Sequence, residues 1–225
     1  MPEPEDHRYT HHVPPPCAEE VRVVHADDHL LIVDKPSGLL SVPGRFLKDS
    51  VLQRVMFEYP DARVVHRLDL DTSGLLVLAL TSLATSDLNR QFRERLVNKV
   101  YVAEVWGLVS DDEGEIDLPM RPDPVNRPRQ VVDHDLGKAA LTKFTVLDRR
   151  HATTLVALYP VTGRSHQLRV HLASLGHPIL GCDLYASKAA FAAADRLCLH
   201  ASEIGFSHPL TSEAMSFQSR HPFTE

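Results

Sequence analysis

The residues best suited to chemistry lie in one short segment, residues 64–80, where charged and small polar side chains stand between two apolar stretches. An apolar run at residues 75–80 follows Gly74 and predicts a buried strand. Asp69 is therefore expected on a turn that leads into a central strand, beside the cation of Arg67. Charge near a low-dielectric interior is costly unless it is paired or used. The segment thus predicts a carboxylate with a functional role.

A turn aspartate most often caps the backbone, and we assign that role to Asp71, which would close the turn with Thr72 and Ser73. The spacing of Asp69 and Asp71 also resembles the Asp-x-Asp start of aspartyl-phosphate phosphatases, which hold Mg²⁺ between carboxylates. In those enzymes the apolar strand precedes the first aspartate, whereas here it follows. No later acidic pair stands out as a metal site. A magnesium-dependent phosphatase is therefore a remote alternative.

The charge of the chain is distributed unevenly. Its 225 residues are 43% hydrophobic, enough for a sizeable core, and carry a net charge of −6 at pH 7. Residues 1–35 contain eight acidic and three basic residues, and so account for −5 of that charge. Local patches rather than net charge decide whether a protein binds phosphates. The candidates for contacting a nucleic acid are Arg90, Arg93, Lys99, Arg127 and Arg129.

Composition also indicates the compartment. The three cysteines, Cys17, Cys182 and Cys198, are odd in number and lack a Cys-x-x-Cys spacing, so neither a disulfide framework nor a zinc site is expected. The acidic N-terminus has no secretory signal, and no apolar stretch approaches the length of a membrane span. We expect a cytoplasmic protein with no membrane contact, and take a monomer as the default.

Strand patterns dominate the chain and occur mainly as hairpins, at residues 21–34 and 141–159. Helical patterns occur at residues 50–59, 82–95 and 165–175. Further strands are expected at residues 99–107, 198–201 and 204–207, and a loop at residues 119–130. This order is typical of an α+β fold, with a largely antiparallel mixed sheet and flanking helices and loops. Residues 1–20 have no periodic pattern and are expected to be a disordered tail.

Three segments, in this order, resemble one family. They are His-Arg-Leu-Asp at residues 66–69 with Thr-Ser-Gly at 72–74, Lys-Val-Tyr-Val-Ala at 99–103, and Gly-Arg-Ser-His-Gln-Leu-Arg-Val-His at 163–171. Each alone is weak evidence, but together they resemble the RluA family of RNA pseudouridine synthases, from about Val21 to near the C-terminus. The segments at residues 34–45, 126–128 and 176–181 are similar to the short members, which lack an S4-type RNA-binding domain.

The resemblance implies a pseudouridine synthase fold with a central catalytic cleft, formed by residues 21–225 as a single catalytic domain without an S4 domain. It implies an isomerase that converts specific uridines to pseudouridine in 23S ribosomal RNA and in a transfer-RNA anticodon stem-loop, at a site of the position 32 type. It also implies that the partner is structured RNA and that the enzyme uses no cofactor and no metal. Two alternatives stay open: the same chemistry on one of these RNAs, and an RNA-binding module without catalysis.

The resemblance also assigns roles to residues. Asp69 matches the catalytic aspartate, Tyr101 the active-site tyrosine, Arg164 the basic residue that pairs with the aspartate, and Leu168 an apolar residue that lines the pocket. Cleavage of a glycosidic bond develops positive charge at C1′. An ionised carboxylate there can attack C1′, stabilise its cationic character or remove a sugar proton, and the residue types do not choose among these roles.

Elementary chemistry is consistent with the remaining assignments. The planar guanidinium of Arg164 can grip a carboxylate with two bonds and keep it ionised. Tyr101 would offer an aromatic face and a hydroxyl to an extruded base. Flipping a base out of a stem or loop costs a few kcal/mol, and Arg67, on the same turn as Asp69, would fill the space that the uridine leaves.

Three histidines, His66, His166 and His171, are expected to be structural. His166 and His171 are five residues apart and do not share a helical face, and no close set of cysteine and histidine residues suggests zinc. One position departs from the family. Relatives carry Gly-Asp soon after the segment at residues 176–180, whereas here Cys182 precedes Asp183. The contact made by that aspartate is therefore not carried over from the family.

Overall fold

The structure, a computed structural model, describes residues 16–223, and within them it contains twelve strands and four helices. The strands are β1 (Arg22–Ala26), β2 (Leu30–Lys35), β3 (Arg63–Val64), β4 (Ser73–Ala79), β5 (Asn98–Trp106), β6 (Glu113–Asp117), β7 (Met120–Pro122), β8 (Gln130–Val132), β9 (Leu141–Arg149), β10 (Thr153–Pro160), β11 (Leu199–Ser207) and β12 (Ala214–Gln218). The helices are α1 (Val51–Val55), α2 (Ser82–Arg93), α3 (Gln167–Ser174) and α4 (Lys188–Ala192).

One large sheet organises the described part of the chain. Its main path runs β1-β2-β4-β11-β5-β10-β9-β6, with β3 paired to β4 and β12 paired to β11, while β7 and β8 form a separate hairpin. Neighbouring strands are antiparallel except β4 and β11, which are parallel. The prediction of an α+β fold with a largely antiparallel mixed sheet is confirmed. None of the helices within residues 16–223 has the length and apolar character that spanning a membrane requires.

The parallel pairing of β4 with β11 is a short seam between two parts of the sheet. It matches Ser73 with His200 and Gly74 with Ala201. Gly74 has a φ of +108°, and a Cβ atom there would lie 2.3 Å from the carbonyl oxygen of Ala201. Any side chain would push the strands apart, which explains the glycine. We call β1–β4 the first half-sheet, and β5, β6 and β9–β12 the second half-sheet.

Helices cover both faces of the first half-sheet, so β2 and β4 are buried on both sides. Ile32 packs in the cluster that contains Leu88 of α2, and Val33 in the cluster that contains Val51 of α1. α3 covers the second half-sheet through Leu172. Each such buried side chain contributes about 1.5–3 kcal/mol of transfer free energy.

The C-terminus of α2 has an unusual residue. Arg95 adopts a φ of 60°, and the N–H of Leu96 donates to the carbonyl oxygen of Gln91 at 2.9 Å. This hydrogen bond belongs to a common helix-ending motif in which glycine usually occupies the left-handed position. Arg95 therefore holds a conformation that costs about 1–2 kcal/mol in an L-residue with a Cβ atom.

Most predicted elements are confirmed. The hairpins are β1–β2 and β9–β10, the strand after Gly74 is β4, the strand predicted at residues 99–107 is β5, and two of the predicted helices are α2 and α3. α1 begins where expected, since Ser50 Oγ accepts a hydrogen bond from the N–H of Gln53 at 3.2 Å. It ends at Val55 rather than at residue 59, because the chain tightens into turns ahead of Pro60.

Other elements differ from the prediction. Residues 119–130 are not a loop throughout, since β7 and β8 pair at either end of this region. The two strands expected at residues 198–201 and 204–207 are one strand, β11, whose register against β5 shifts between Ala201 and Glu203. β6, β12 and α4 were not predicted. Each is five residues long, too short for a clear period of 2 or 3.6 residues.

A segment at residues 35–41, which we call the strap, holds the turn that precedes β4. Its hydrogen bonds join Ser41 Oγ to the N–H and carbonyl oxygen of Leu68 (3.0 and 2.7 Å), the N–H of Gly38 to Leu70 O (3.0 Å), and Ser37 Oγ to Asp71 O (2.7 Å). The backbone at residues 68–71 is therefore fixed by partners distant in sequence. Any side chain on this turn inherits a defined position.

Lys35 is fully buried beneath this turn. Its Nζ donates hydrogen bonds to the carbonyl oxygens of Pro36 (2.9 Å) and Leu70 (2.7 Å). Burial lowers the pKa of Lys35 to about 7, against the opposing effect of the carboxylates of Asp71 and Asp69. A neutral amine keeps two N–H groups, which match these two acceptors. The folded state therefore favours the neutral amine of Lys35.

Residues 16–20, the described part of the predicted tail, contact α1. Arg54 of α1 donates to the carbonyl oxygens of Cys17 (2.5 Å) and Glu19 (2.6 Å) and pairs with Asp49 (2.7 Å). This part of the predicted tail is thus attached to the fold. Residues 1–15 lie outside the described residues.

Replacing Lys35 should change how stability depends on pH. An unfolded lysine titrates near ~10.4, so between about pH 7 and 10 the unfolded state binds more protons than the folded state. The free energy of unfolding should therefore rise with pH in this window, by up to about 1.4 kcal/mol per pH unit from this group. Urea unfolding of Lys35→Met, measured between pH 6.5 and 9.5, should lack that rise. Equal pH slopes in the variant and the parent would contradict the assignment.

Candidate active site

A small pocket lies where the two half-sheets meet. Its volume is about 110 Å³, and it opens into a groove of about 950 Å³. Asp69, Tyr101 and His166 line both, so the pocket is the inner end of the groove. The prediction of a central cleft that contains Asp69 and Tyr101 is therefore consistent with this geometry.

Asp69 lies on the turn held by the strap, directly after Leu68 and before β4. Its side chain is 31% exposed and points into the pocket. Its Oδ2 faces two nitrogen atoms, Arg169 Nη1 and His166 Nε2, each at 4.0 Å. A charged guanidinium and an imidazole thus face one oxygen of the carboxylate.

The predicted pairing of Asp69 with Arg164 is wrong in this structure. Arg164 is exposed, and its Nε donates to the carbonyl oxygen of Ala139 at 3.2 Å. Its backbone N–H is held by Oε1 of Gln167 at 3.0 Å, which places its side chain on the rim of the pocket rather than against Asp69. Asp69 does face a guanidinium, as predicted, but this group belongs to Arg169, five residues after Arg164.

Arg169 is the guanidinium that faces Asp69, from the first turns of α3, with 4% of its side chain exposed. Its Nη2 donates to Asp183 Oδ1 at 2.5 Å, and its Nε and Nη2 lie 3.3 Å from Cys182 Sγ. Burial works to lower the pKa of Arg169, but its contacts with Cys182, Asp183 and Asp69 outweigh burial and raise that pKa. The displaced acid Asp183 therefore has a defined role, as the direct partner of Arg169.

A sequence signal for Arg169 was available. It lies between Leu168 and Val170 in a predicted helix, and both neighbours are buried in the structure. A cation in a helix with so little polar surface must be paired or used. The family motif alone directed attention to the first arginine of the segment.

Tyr101 lies on β5, and its partly buried ring lines the pocket. Burial raises the pKa of its hydroxyl, and the neighbouring carboxylate of Asp69 raises it further. The hydroxyl therefore stays protonated. Lys99 lies on the same face of β5, as the alternation predicts, and burial lowers its pKa.

Apolar side chains form part of the pocket wall. Leu168 lines the pocket, as the resemblance implies, together with Leu68 and Leu199. All three are less than 10% exposed. The carboxylate of Asp69 therefore stands at the edge of a partly apolar pocket, whose lining also includes the polar residues Thr72, Thr162 and Gln167.

Two of the three histidines are structural, as predicted. His66 Nε2 accepts a hydrogen bond from the N–H of Val77 at 3.0 Å, its ring stacks on Phe92 with centroids 4.5 Å apart, and burial lowers its pKa to about 3. His171 is buried and bonds Thr142 Oγ1 at 3.0 Å. His166 differs from these two in its position, because it lines the pocket and faces Asp69.

Asp71 differs from Asp69 in its surroundings. Burial, and then the nearby charge of Asp183, raise the pKa of Asp71. Its carbonyl oxygen accepts from Ser37, so its backbone takes part in the turn as predicted. Within residues 16–223, no group of three or more His, Cys, Asp or Glu side chains is arranged to hold a metal ion. Asp69 and Asp71 therefore lack the further ligands that the phosphatase alternative requires.

Cations line the groove. Among the predicted nucleic-acid contacts, Arg93 and Lys99 line it, and so does Pro128, the residue between Arg127 and Arg129. Arg67, Arg95 and Arg164 add further cations. Arg90 is a weaker candidate than predicted, because its guanidinium is already paired with Asp87 (2.6 Å) and Glu94 (3.0 Å). Arg95 was not predicted; its strained backbone and its place on the groove distinguish it.

Comparisons with known proteins agree with this geometry. A family model described as RNA pseudouridylate synthase matches residues 29–174. The chain is similar to the dual-specificity RNA pseudouridine synthase RluA of Escherichia coli K12, with 50% identity over 212 residues, covering 93% of this chain and 97% of that protein. It is 52% identical over 202 residues to the protein of the same name from Vibrio parahaemolyticus, covering 87% and 81%.

A solved structure shows the same fold. Human RNA pseudouridylate synthase domain containing 1 superposes with a TM-score of 0.81 at 27% sequence identity, covering 94% of this chain and 88% of that one. The similarity therefore extends over both half-sheets and the pocket between them.

Removing the guanidinium of Arg169 should destabilise the fold. Loss of one partner from a buried ion pair costs about 3–5 kcal/mol, and the partial exposure of Asp183 places Arg169→Ala near the lower end. Arg164→Ala, the matched control, should change the free energy of unfolding by no more than about 0.5 kcal/mol. Urea denaturation of both variants tests this difference. Equal destabilisation, or a larger effect of Arg164→Ala, would contradict the arrangement.

Proposed function

This chain belongs to the RNA pseudouridylate synthase family, a family of isomerases, and we propose that it converts uridine to pseudouridine in RNA with Asp69 as its catalytic residue. One observation carries the proposal. Asp69, Tyr101 and Arg169 meet around a small, partly apolar pocket at the inner end of a groove lined by cations. A pocket for one base and a groove for its backbone are what a base-modifying enzyme needs.

The reaction requires a negative charge beside the sugar. The N1–C1′ bond breaks, the uracil turns, and a C5–C1′ bond forms; C5 then loses its proton and N1 holds one, so the product is an isomer of the substrate. Positive charge develops at C1′ as the first bond breaks. The carboxylate of Asp69 faces the pocket and would meet that charge. Arg169, 4.0 Å away and permanently charged, attracts the negative charge of this carboxylate from across the pocket.

Exclusion of water decides the outcome of this chemistry. A glycosidase that admits water hydrolyses its substrate, whereas here the detached base must recombine with the same sugar. Leu68, Leu168 and Leu199 are buried side chains of the pocket wall, and a base bound against them would be shielded from water on that side. The proposed role of Leu168 is therefore to shape the pocket and to keep water away from the base.

Tyr101 holds the base. Its ring offers a face on which a flipped uracil can stack, a common mode for single bases. Because burial and the charge of Asp69 raise the pKa of its hydroxyl, that group is a hydrogen-bond donor to the base and not an anion.

Arg67 stands at the mouth of the pocket. Its side chain is exposed and lines both the pocket and the groove, and it forms no hydrogen bond or ion pair with the described residues. A cation in this position can occupy the space that the flipped uridine leaves in the RNA, where it stacks on bases and pairs with phosphates.

The groove is the proposed RNA surface. Arg93, Arg95, Lys99 and Arg164 line it, and Arg127 and Arg129 stand on the β7–β8 hairpin at its edge. Clustered cations bind the phosphate backbone whatever the sequence of the RNA. The net charge of −6 does not oppose this, because most of the excess acid lies in residues 1–35.

We propose that the substrates are 23S ribosomal RNA and a transfer-RNA anticodon stem-loop. Relatives that are about 50% identical to this chain are named dual-specificity RNA pseudouridine synthases. One pocket can serve two RNAs that share a loop shape, because structured RNA is read largely through shape and exposed bases. We further propose that the enzyme works as a monomer in the cytoplasm, in keeping with its free cysteines.

Asp69→Asn should abolish the isomerisation. The amide keeps the size of the side chain but cannot carry the charge, and we expect a loss of about a thousandfold or more in the single-turnover rate. Release of tritium from C5-labelled uridine in a stem-loop transcript measures this rate. Asp71→Asn, two residues away on the same turn, is the control and should stay within about threefold. Parental activity in Asp69→Asn would overturn the proposed function.

Arg95→Gly should stabilise the protein and weaken RNA binding. Glycine removes the left-handed strain, so the free energy of unfolding should rise by about 1 kcal/mol. Loss of one phosphate contact should reduce the slope of log affinity against log salt by about 0.7. Arg90→Gln, whose cation is already paired, should leave the slope unchanged. If both variants changed the slope equally, Arg95 would have no special place on the RNA surface.

A further inference from the structure

His166 has features that a structural histidine does not need. It adopts a φ of 57°, uncommon for a residue with a Cβ atom, directly before α3. The loop is held in this conformation by Gln167, whose Oε1 accepts from Thr162 Oγ1 (2.7 Å) and whose Nε2 donates to Leu141 O (3.0 Å). Side chains held in strained backbone often occur at functional sites.

The hydrogen bonds around Tyr185 define which ring nitrogen of His166 carries a proton. Tyr185 Oη accepts from the backbone N–H of Gln130 at 2.8 Å and lies 2.7 Å from His166 Nδ1. Among the described residues, Nδ1 is the acceptor within hydrogen-bond distance of this phenol, so we assign the phenol proton to Nδ1. Burial raises the pKa of Tyr185 to about 12, so that proton is retained. The imidazole proton of neutral His166 is then on Nε2, the atom that faces Asp69 Oδ2 at 4.0 Å.

The charged groups around His166 favour its neutral form. Asp69 and Asp183 act to raise its pKa, whereas burial, the largest effect, and the cation of Arg169 lower it. The net direction is downward. His166 is therefore a neutral donor, and Arg169 beside it supplies the charge.

Resting on the function proposed above, we propose that His166 is a positioning residue for the reaction: its Nε2–H fixes the carboxylate of Asp69, and Tyr185 fixes the tautomer that makes this possible. The 4.0 Å between Nε2 and Oδ2 is longer than a hydrogen bond, and we expect it to shorten when RNA is bound. Hydrogen bonds of this kind are often long in unliganded enzymes and tighten in the complex.

Tyr185 also connects the pocket to the RNA surface. Gln130, which donates to Tyr185, begins β8, and the preceding turn carries Arg127 and Arg129. Two hydrogen bonds, from Gln130 to Tyr185 and between Tyr185 and His166, therefore connect this hairpin to the pocket. The same tyrosine ring lies under the guanidinium of Arg169 at 5.3 Å, so both groups that face Asp69 share one support.

Two substitutions of His166 separate its roles. Asparagine tolerates the left-handed backbone and can accept from Tyr185, but its side chain is too short to reach Asp69. His166→Asn should lower kcat about tenfold or more, the value of a hydrogen bond to a charged group, with an unchanged KM for a stem-loop transcript. In His166→Gln the amide nitrogen reaches the position of Nε2, and kcat should stay within about threefold of the parent. Parental kcat in His166→Asn would overturn the proposal.

A double-mutant cycle tests the role of Tyr185. Tyr185→Phe should lower kcat in the parent but have no further effect in His166→Asn, while Tyr159→Phe, a partly exposed tyrosine that bonds Thr145, should change neither. Equal effects of Tyr185→Phe in both backgrounds would overturn the link.

A spectroscopic measurement keeps this proposal separate from the function itself. ¹⁵N NMR of the RNA-free enzyme should show His166 protonated at Nε2 and not at Nδ1, with mixed tautomers in Tyr185→Phe. Protonation at Nδ1 in the parent would overturn the proposal even if Asp69→Asn is inactive. Failure of the proposed function would instead appear as full activity of Asp69→Asn.

Discussion

The structure depends on fixing one carboxylate at the edge of a partly apolar pocket. The position of Asp69 is fixed by residues distant in sequence. The strap holds the backbone of its turn through hydrogen bonds from Ser41, Ser37 and Gly38. Buried Lys35 completes the support with its bond to Leu70. The cost of a charge near the interior is offset from the opposite side of the cleft, where Arg169 is itself neutralised by Asp183.

Much of this fold could be predicted from the sequence. Alternation predicted β5 with Tyr101 and Lys99 on one face, and the apolar run after Gly74 predicted β4, because long patterned segments bury a definite face. The hairpin β7–β8 could not be found in this way. Its strands are three residues long, β7 ends in a proline, and the pairing is supported by tertiary contacts such as the bond from Gln130 to Tyr185.

The candidate site was predictable in its chemistry but not in all its residues. A guanidinium partner for Asp69 was required by electrostatics, yet sequence spacing could not decide between Arg164 and Arg169, because the direction of each side chain depends on where α3 begins. The position of His166 was not predictable for a similar reason. Its position against Asp69 follows from a left-handed backbone held by Gln167, and such a conformation leaves no periodic signal.

The seam between β4 and β11 has a consequence for how substrate and enzyme fit together. Only two residue pairs join the half-sheets there within the described chain, and Gly74 keeps them in close contact. Asp69 belongs to one side, while Tyr101 and Arg169 belong to the other. A stem-loop that touched α2, which packs on the first half-sheet, and the β7–β8 hairpin, which bonds to Tyr185 beside the second, would span this seam. Binding of the RNA would then also set the position of Asp69 relative to Tyr101 and Arg169.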